Sequence, residues 1–248
     1  MPEPLPDALV SAMARIEPPP PAQQPAPPDV TGTLADLLQW WTSVSDGRAP
    51  AVAVLEPPQA TAEADTALLD GLVASERAID AGATLLVPRA GGRDDHEARA
   101  IVALLTRGDA GTVTYQGPAV TDRAWMNTCA EIRASIERVA DLRSDPLGLL
   151  AALDARHIAY LVGVLLGGAA RRTPSVVEGT GELGAALMAD RLCFRAKDWW
   201  RAGSTSTDPA RVAAVDRLAL APGLPLGLTD DTGRGADATI ALLGLLTV

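Results

Sequence analysis

Lysine is almost missing from this chain, and the residues that commonly build metal centres or disulfides are too few to do so. Of 21 basic residues, Lys197 is the only lysine, a bias that reflects codon usage rather than mechanism. Cysteine occurs twice, at Cys129 and Cys193, with no CxxC spacing; two buried, reduced thiols in a cytoplasmic protein is the reading preferred over a disulfide. Histidine also occurs twice, at His96 and His157, which excludes a histidine-rich metal site, and neither metal nor cofactor is expected. Aromatic residues make up 3% of the chain against 48% hydrophobic, so its core must be built from alanine, valine and leucine. The longest apolar run, Ile158 to Ala170, has 13 residues, too short to span a bilayer. No basic, then apolar, then small-residue order marks a signal peptide. A net charge of −10 argues against a general nucleic-acid or anionic-membrane binder.

What is present is a proline-rich start followed by alternating strand and helix patterns. Residues 1–30 hold ten of the twenty prolines, including Pro18 to Pro21, and read as a tail or linker. Within it, Leu5 to Ile16 can form a short helix with Leu9, Val10, Met13 and Ile16 on one side. Residues 31–248 form the expected domain. A helix opens at Gly32 or Thr33 and carries Trp40 and Trp41, one for the core and one for a rim or subunit contact. Strands are expected at Ala51–Leu55 and Ala83–Val87, separated by a helix over Ala62–Ala81, with a short strand candidate at Val113–Thr114. Helices are expected after the segment PRAGGRDDHEARA as far as Leu105, over Trp125–Val139, and from Asp145-Pro146 through Leu153.

The segment Asp154–Leu192 is the most informative. Asp154 is placed to cap a helix whose apolar residues are too continuous for a surface position; Arg171 and Arg172 suit its last turn, and Pro174 stops it. Ser175, Val176 and Val177 fit a strand buried on both faces, and Glu178-Gly179 marks its carboxyl end. AGSTSTDPARV reads as a loop and helix start, Ala210–Leu218 as a helix, Leu220–Pro225 as a turn into an extended piece. A glycine-containing loop precedes a last apolar helix. The whole is an α/β protein: a doubly wound, mostly parallel sheet flanked by helices, with a small helical part from the N-terminal region. Ligands of such sheets bind at the carboxyl ends of the strands.

The order of motifs resembles a known family. DPLGLLAALDARHIAYLVGVLLGGAARRTPSVVEG, DRLCFRAKDWWRAGSTSTDP and GRGADATIALLGLL are similar to segments of the nicotinate-nucleotide:dimethylbenzimidazole phosphoribosyltransferases of cobalamin nucleotide-loop assembly. AGATLLVPRAGGRDDHEARAIVALLTRGD takes the place of that family's phosphate-binding loop and helix, and TYQGPAVTDRAWMNTCAEIR matches the segment after it. GTLADLLQWWTSVSDGRAPAVAVL resembles the early helix and first strand. The resemblance spans roughly residues 32 to 248. It implies a homodimeric α/β enzyme that transfers phosphoribose from nicotinate mononucleotide to a benzimidazole base.

The departures fall on chemical positions. The family's Gly-Glu-Met-Gly-Ile-Gly-Asn-Thr-Thr loop cradles phosphate at a helix start; here it is Pro88, Arg89, Ala90, Gly91, Gly92, Arg93, Asp94, Asp95 and His96. The family's lysine falls on Thr128. Its Gly-Glu-Gly carries the general base, and here that triplet is Gly233, Arg234, Gly235; an arginine cannot accept the proton. Its His-Arg-Ser-Ser-Glu-Pro loop is Ser204, Thr205, Ser206, Thr207, Asp208, Pro209. A long insert that forms part of the benzimidazole pocket is reduced to EPPQAT. No catalytic residue is intact. The substrate or phosphate-binding candidates are Gly91, Gly92, Arg89, Arg93, Glu178, Gly179, Ser204, Ser206, Gly233 and Gly235. For Gly91-Gly92 a bare turn competes with a phosphate cradle, and for Arg89 and Arg234 a solvated surface role competes with an anion site. Glu178 is a ligand-facing group or a turn carboxylate, and His96 fits a helix start better than a ligand. The expected ligand is nicotinate mononucleotide or a related phosphate, and the expected assembly a homodimer or a pairing with an intact transferase. The competing reading is a non-catalytic paralogue, a partner subunit or phosphate-ligand binder.

Overall fold

The computed structural model describes residues 4–21, 31–45, 47–59, 63–91, 96–229 and 232–247. Five strands, β1 (Val52–Leu55), β2 (Leu85–Pro88), β3 (Ser175–Val177), β4 (Trp200–Ser206) and β5 (Pro222–Leu228), form one parallel sheet in the order β1-β2-β3-β4-β5. The expected parallel α/β sheet flanked by helices is what forms. Its helices are α1 (Asp7–Ala14), α2 (Thr33–Ser45), α3 (Ala64–Asp80), α4 (His96–Thr106), α5 (Ala110–Val113) and α6 (Asp122–Val139), followed by α7 (Pro146–Ala152), α8 (Arg156–Ala170), α9 (Thr180–Leu192), α10 (Pro209–Leu218) and α11 (Arg234–Leu246).

Strand order equals chain order, so right-handed crossovers put every connecting helix on one face. There α3 packs on α8, α8 and α4 on α9, and α9 on α10. The other face is covered from the two ends of the domain: α2 and α11 lie together over β4 and β5. That side holds the smaller core of Leu37, Trp41, Leu85, Val176, Ala236 and Leu243. Arg201 ties it together, donating to the carbonyls of Asp36 (3.2 Å) and Pro222 (3.3 Å) with its guanidinium 5.6 Å from the Trp40 ring. Burial lowers its pKa, partly offset by Asp36.

The central helix α8 is buried on all sides from Ile158 to Ala170, which is why its sequence lacks a polar stripe. It meets α3 backbone to backbone. A Cβ on Gly163 would lie 1.9 Å from the Leu68 carbonyl oxygen, and one on Gly71 would lie 1.9 Å from that of Tyr160. Few large side chains are available, and glycine and alanine let the helices approach instead.

Several expectations are corrected. Val113–Thr114 is no strand: Asp109 and Thr112 form a reciprocal capping box that winds Ala110–Val113 into α5. AGSTSTDP is not a loop throughout, because Trp200–Ser206 is β4, held by β3 and β5 on either side. Asp154 does not cap α8; the cap position is Ala155, while Asp154 has φ +55° and accepts from Arg156 Nε at 2.7 Å. Residues expected in the tail join the core: Leu9, Ala12 and Ile16 are buried, and the carbonyl of Glu17 accepts from Trp199 Nε1 at 2.7 Å. Val10, expected beside them, is exposed. Of the paired tryptophans, Trp41 is buried and Trp40 partly so, while Trp199 and Trp200 are both buried packing residues. Cys129 is buried, Cys193 partly exposed, and both are free thiols.

Candidate functional site

The carboxyl ends of β2, β3 and β4 converge on the start of α11. Close backbone approach sets this up. A Cβ on Gly203 of β4 would sit 2.7 Å from the Ala236 nitrogen, and Thr239 Oγ1 donates to the Gly203 carbonyl at 2.6 Å. The first turn of α11 is thereby pinned over the strand ends, behind a left-handed Gly233 at φ +74°.

Glu178, the residue after β3, fills the space this creates. Its side chain is buried; Oε1 accepts from Ser204 Oγ at 2.6 Å, and Oε2 accepts from the backbone N–H of Ala236. A helix N-terminus exposes unpaired N–H groups and a partial positive charge. Here the protein supplies the anion itself. Gly235 is required by the same packing, since a Cβ there would lie 2.2 Å from Glu178 Oε1 and 2.3 Å from Ser204 Oγ.

A second carboxylate serves the neighbouring turn. Glu182, in the first turn of α9, is buried, and its Oε1 accepts from the Ala90 N–H at 2.6 Å. This reaches into the turn after β2 where the phosphate loop was expected. Gly179 makes room for it: its φ is +105°, and a Cβ would lie 2.1 Å from Glu182 Oε2. Sequence reasoning misses Glu182. Its signal was present in the spacing, because a glutamate three residues after a helix cap is placed to fold back over that helix start.

Arg89 points across to α11. It pairs with Asp237 through Nη2 and donates from Nη1 to the Thr232 carbonyl at 3.4 Å. Arg234, at the first position of α11, is exposed, and its Nε donates to Thr232 Oγ1 at 2.9 Å. Of the candidates, Arg89, Glu178, Gly179, Ser204, Gly233 and Gly235 come together. Gly91 lies nearby at the turn after β2, exposed, with φ +84° and open space around it. Ser206 is turned away, donating to the Leu228 carbonyl (2.6 Å) and accepting from the Asp208 N–H (3.0 Å). Gly92 and Arg93 lie outside the described residues. His96 begins α4 and pairs through Nδ1 with Glu131 at 2.8 Å. Among the described residues no group of three or more His, Cys, Asp or Glu is placed to hold a metal ion, and no helix is long and apolar enough to cross a membrane.

A parallel α/β sheet with glycine turns and polar groups gathered at its strand ends defines an α/β scaffold whose candidate ligand site lies at the carboxyl ends of the strands, and comparison with known proteins makes it specific. The family model described as phosphoribosyltransferase matches residues 49–245. The chain is 40% identical over 184 residues to the nicotinate-nucleotide–dimethylbenzimidazole phosphoribosyltransferase of Streptomyces avermitilis, covering 73% of this chain and 48% of the relative. It is 35% identical over 184 residues to the Streptomyces coelicolor protein of the same name, covering 73% and 50%. The crystal structure of CobT from Thermus thermophilus superposes with a TM-score of 0.65 at 27% identity, over 74% of this chain and 55% of that one. A second structure from that organism, a nicotinate-nucleotide-dimethylbenzimidazole phosphoribosyltransferase, gives 0.72 at 19% identity over 98% and 95%, a likeness of fold. The chain belongs to the nicotinate-nucleotide:dimethylbenzimidazole phosphoribosyltransferase family. It spans about half the length of the curated relatives it matches.

Proposed function

We propose that this chain is a divergent member of its family in cobalamin biosynthesis, in which phosphoribosyl transfer from nicotinate mononucleotide to a benzimidazole base is reduced or absent. The observation that carries this reading is the first turn of α11. Arg234 stands where the resemblance puts the general base, and the carboxylate of that turn, Asp237, is paired with Arg89. The N–H groups suited to an anion are also engaged from within: Ala236 by Glu178 and Ala90 by Glu182. Both effects disfavour turnover, the first through lost proton transfer and the second through competition with the substrate phosphate.

A second reading, a non-catalytic partner subunit, draws on the edge strand β1, which exposes Val52 (40%) and Val54 (50%). In either form the protein would act in the cytoplasm, as a homodimer or beside an intact transferase. The test is incubation of purified protein with nicotinate mononucleotide and dimethylbenzimidazole, assayed for α-ribazole phosphate. Product should form slower than with a relative retaining the glutamate by about 10²–10⁴-fold, the range a general base supplies. Turnover at that relative's rate, lost on Arg234→Ala, would overturn the reading.

A further inference from the structure

A cavity of about 290 Å3 opens where α4, α9 and α10 end, lined by Arg107, Arg143, Asp190, Arg191 and Arg217, with Leu104 and Leu187 among its apolar walls. Crossover helices run back against the strands, so this is the amino side of the sheet. The 11-residue α4, about 16 Å long, separates it from the Glu178 cluster.

Four guanidinium groups gather here in a protein of net charge −10. Arg107, Arg143 and Arg217 make no side-chain hydrogen bond or ion pair with any described residue. Arg191 donates to the Arg143 carbonyl at 3.1 Å, which fastens the end of α9 to the segment before α7. Cations in the last turn of a helix answer its dipole, and that accounts for Arg191 and Arg217 taken singly. It does not account for Asp190. Its Oδ1 is shut off from solvent and accepts no hydrogen bond from any described residue, and burial raises its pKa even with Lys197, Arg217 and Arg191 acting the other way.

A site for a bare anion has no use for a carboxylate. Guanidinium forks match phosphate oxygens, and the carboxylate of Asp190, which lines the same cavity and whose other oxygen is not closed off, matches a hydroxyl. We propose that this pocket binds a phosphorylated polyol, with its phosphate on Arg107, Arg143 and Arg217 and a hydroxyl donated to Asp190. A neighbouring cavity of about 530 Å3 shares Thr106 and Arg217 and adds Gly108, Thr112 and Asp216.

The test is calorimetric titration of the full chain with ribose 5-phosphate, inorganic phosphate and ribose in turn. Ribose 5-phosphate should bind one-to-one and at least tenfold more tightly than phosphate, with ribose alone not binding. Arg107→Gln and Arg217→Gln should each weaken it about tenfold, and Asp190→Asn should erase the preference over phosphate. No binding of ribose 5-phosphate, or equal affinity for phosphate, would overturn the proposal. Hydrogen exchange on the unsubstituted protein locates the ligand independently of how the variants fold. Protection at residues 104–107 and 187–191 supports the site. Protection confined to 89–91 and 233–237 assigns the ligand to the strand ends and overturns it.

Discussion

Asp208 grips Arg99 with both carboxylate oxygens, Nη1 to Oδ1 at 3.2 Å and Nη2 to Oδ2 at 2.9 Å, and both side chains are closed off from solvent. The same Asp208 Oδ1 accepts from the N–H groups of Ala210 and Arg211 at the start of α10, and Arg99 Nη1 also donates to the Val113 carbonyl at 2.6 Å. One ion pair therefore joins α4, α5 and α10. Removing one partner of a buried pair costs about 3–5 kcal/mol. Asp208→Asn, which keeps the cap, should lose about that much in urea unfolding, and Asp208→Ala about 1 kcal/mol more. Arg99→Met with Asp208→Leu should be less damaging than either single change, because no charge is left buried alone.

Gly235→Ala tests the packing at the strand ends. The added methyl has no room beside Glu178 Oε1 and Ser204 Oγ, and overpacking of this kind costs about 1–3 kcal/mol. Thermal melting should fall accordingly, and Ser204→Gly in the same chain should recover part of the loss.

Gly163→Ala tests the crossing of α3 and α8. The clash there is with the Leu68 backbone, which has no rotamer to yield. Destabilisation should exceed that of Gly244→Ala, whose site is open, even though alanine is the better helix former at both by about 1 kcal/mol. Gly244→Ala is expected to be neutral or stabilising.

Asp190 gives the chain a pH signature. Its pKa is raised by burial, so between the ordinary aspartate value and the raised one the folded protein holds more protons than the unfolded chain. The stability contribution of this group therefore falls as pH rises through that interval. In the absence of ligand, Asp190→Asn should raise stability at pH 7, and the gain should vanish in acid below the ordinary aspartate range. Urea midpoints at the two pH values check this.

The buried helix α8 and strand β3 were legible because their residues admit one environment: Ile158 to Ala170 carry no polar stripe, and Val176 and Val177 follow only a small serine. Strand β4 was not, since Gly203, Ser204, Thr205 and Ser206 carry loop chemistry and only pairing with β3 and β5 makes them a strand. At the candidate site, Glu178 and the glycines Gly233 and Gly235 could be picked out as polar or permissive positions on a strand-end turn. What they do could not. Whether a helix start meets a ligand or an internal carboxylate depends on contacts between residues such as Glu178 and Ala236, far apart in the chain. Arg89 likewise read as a free cation, while its partner Asp237 lies on the last helix.

Because strand order follows chain order, each strand joins an edge already laid down, and the crossover side can build progressively as the chain is synthesised. The opposite side cannot. Helix α2 comes from the beginning of the domain, yet it rests on β5 and α11 from its end, so the segment bearing Trp41 must wait for nearly two hundred residues to follow it. Long-range closure of this kind slows folding. It also makes the last helix the latch of the domain: a chain cut before Arg234 would keep most of its large core yet leave the tryptophan helix on β5 without α11 beside it, a nascent form suited to capture by chaperones.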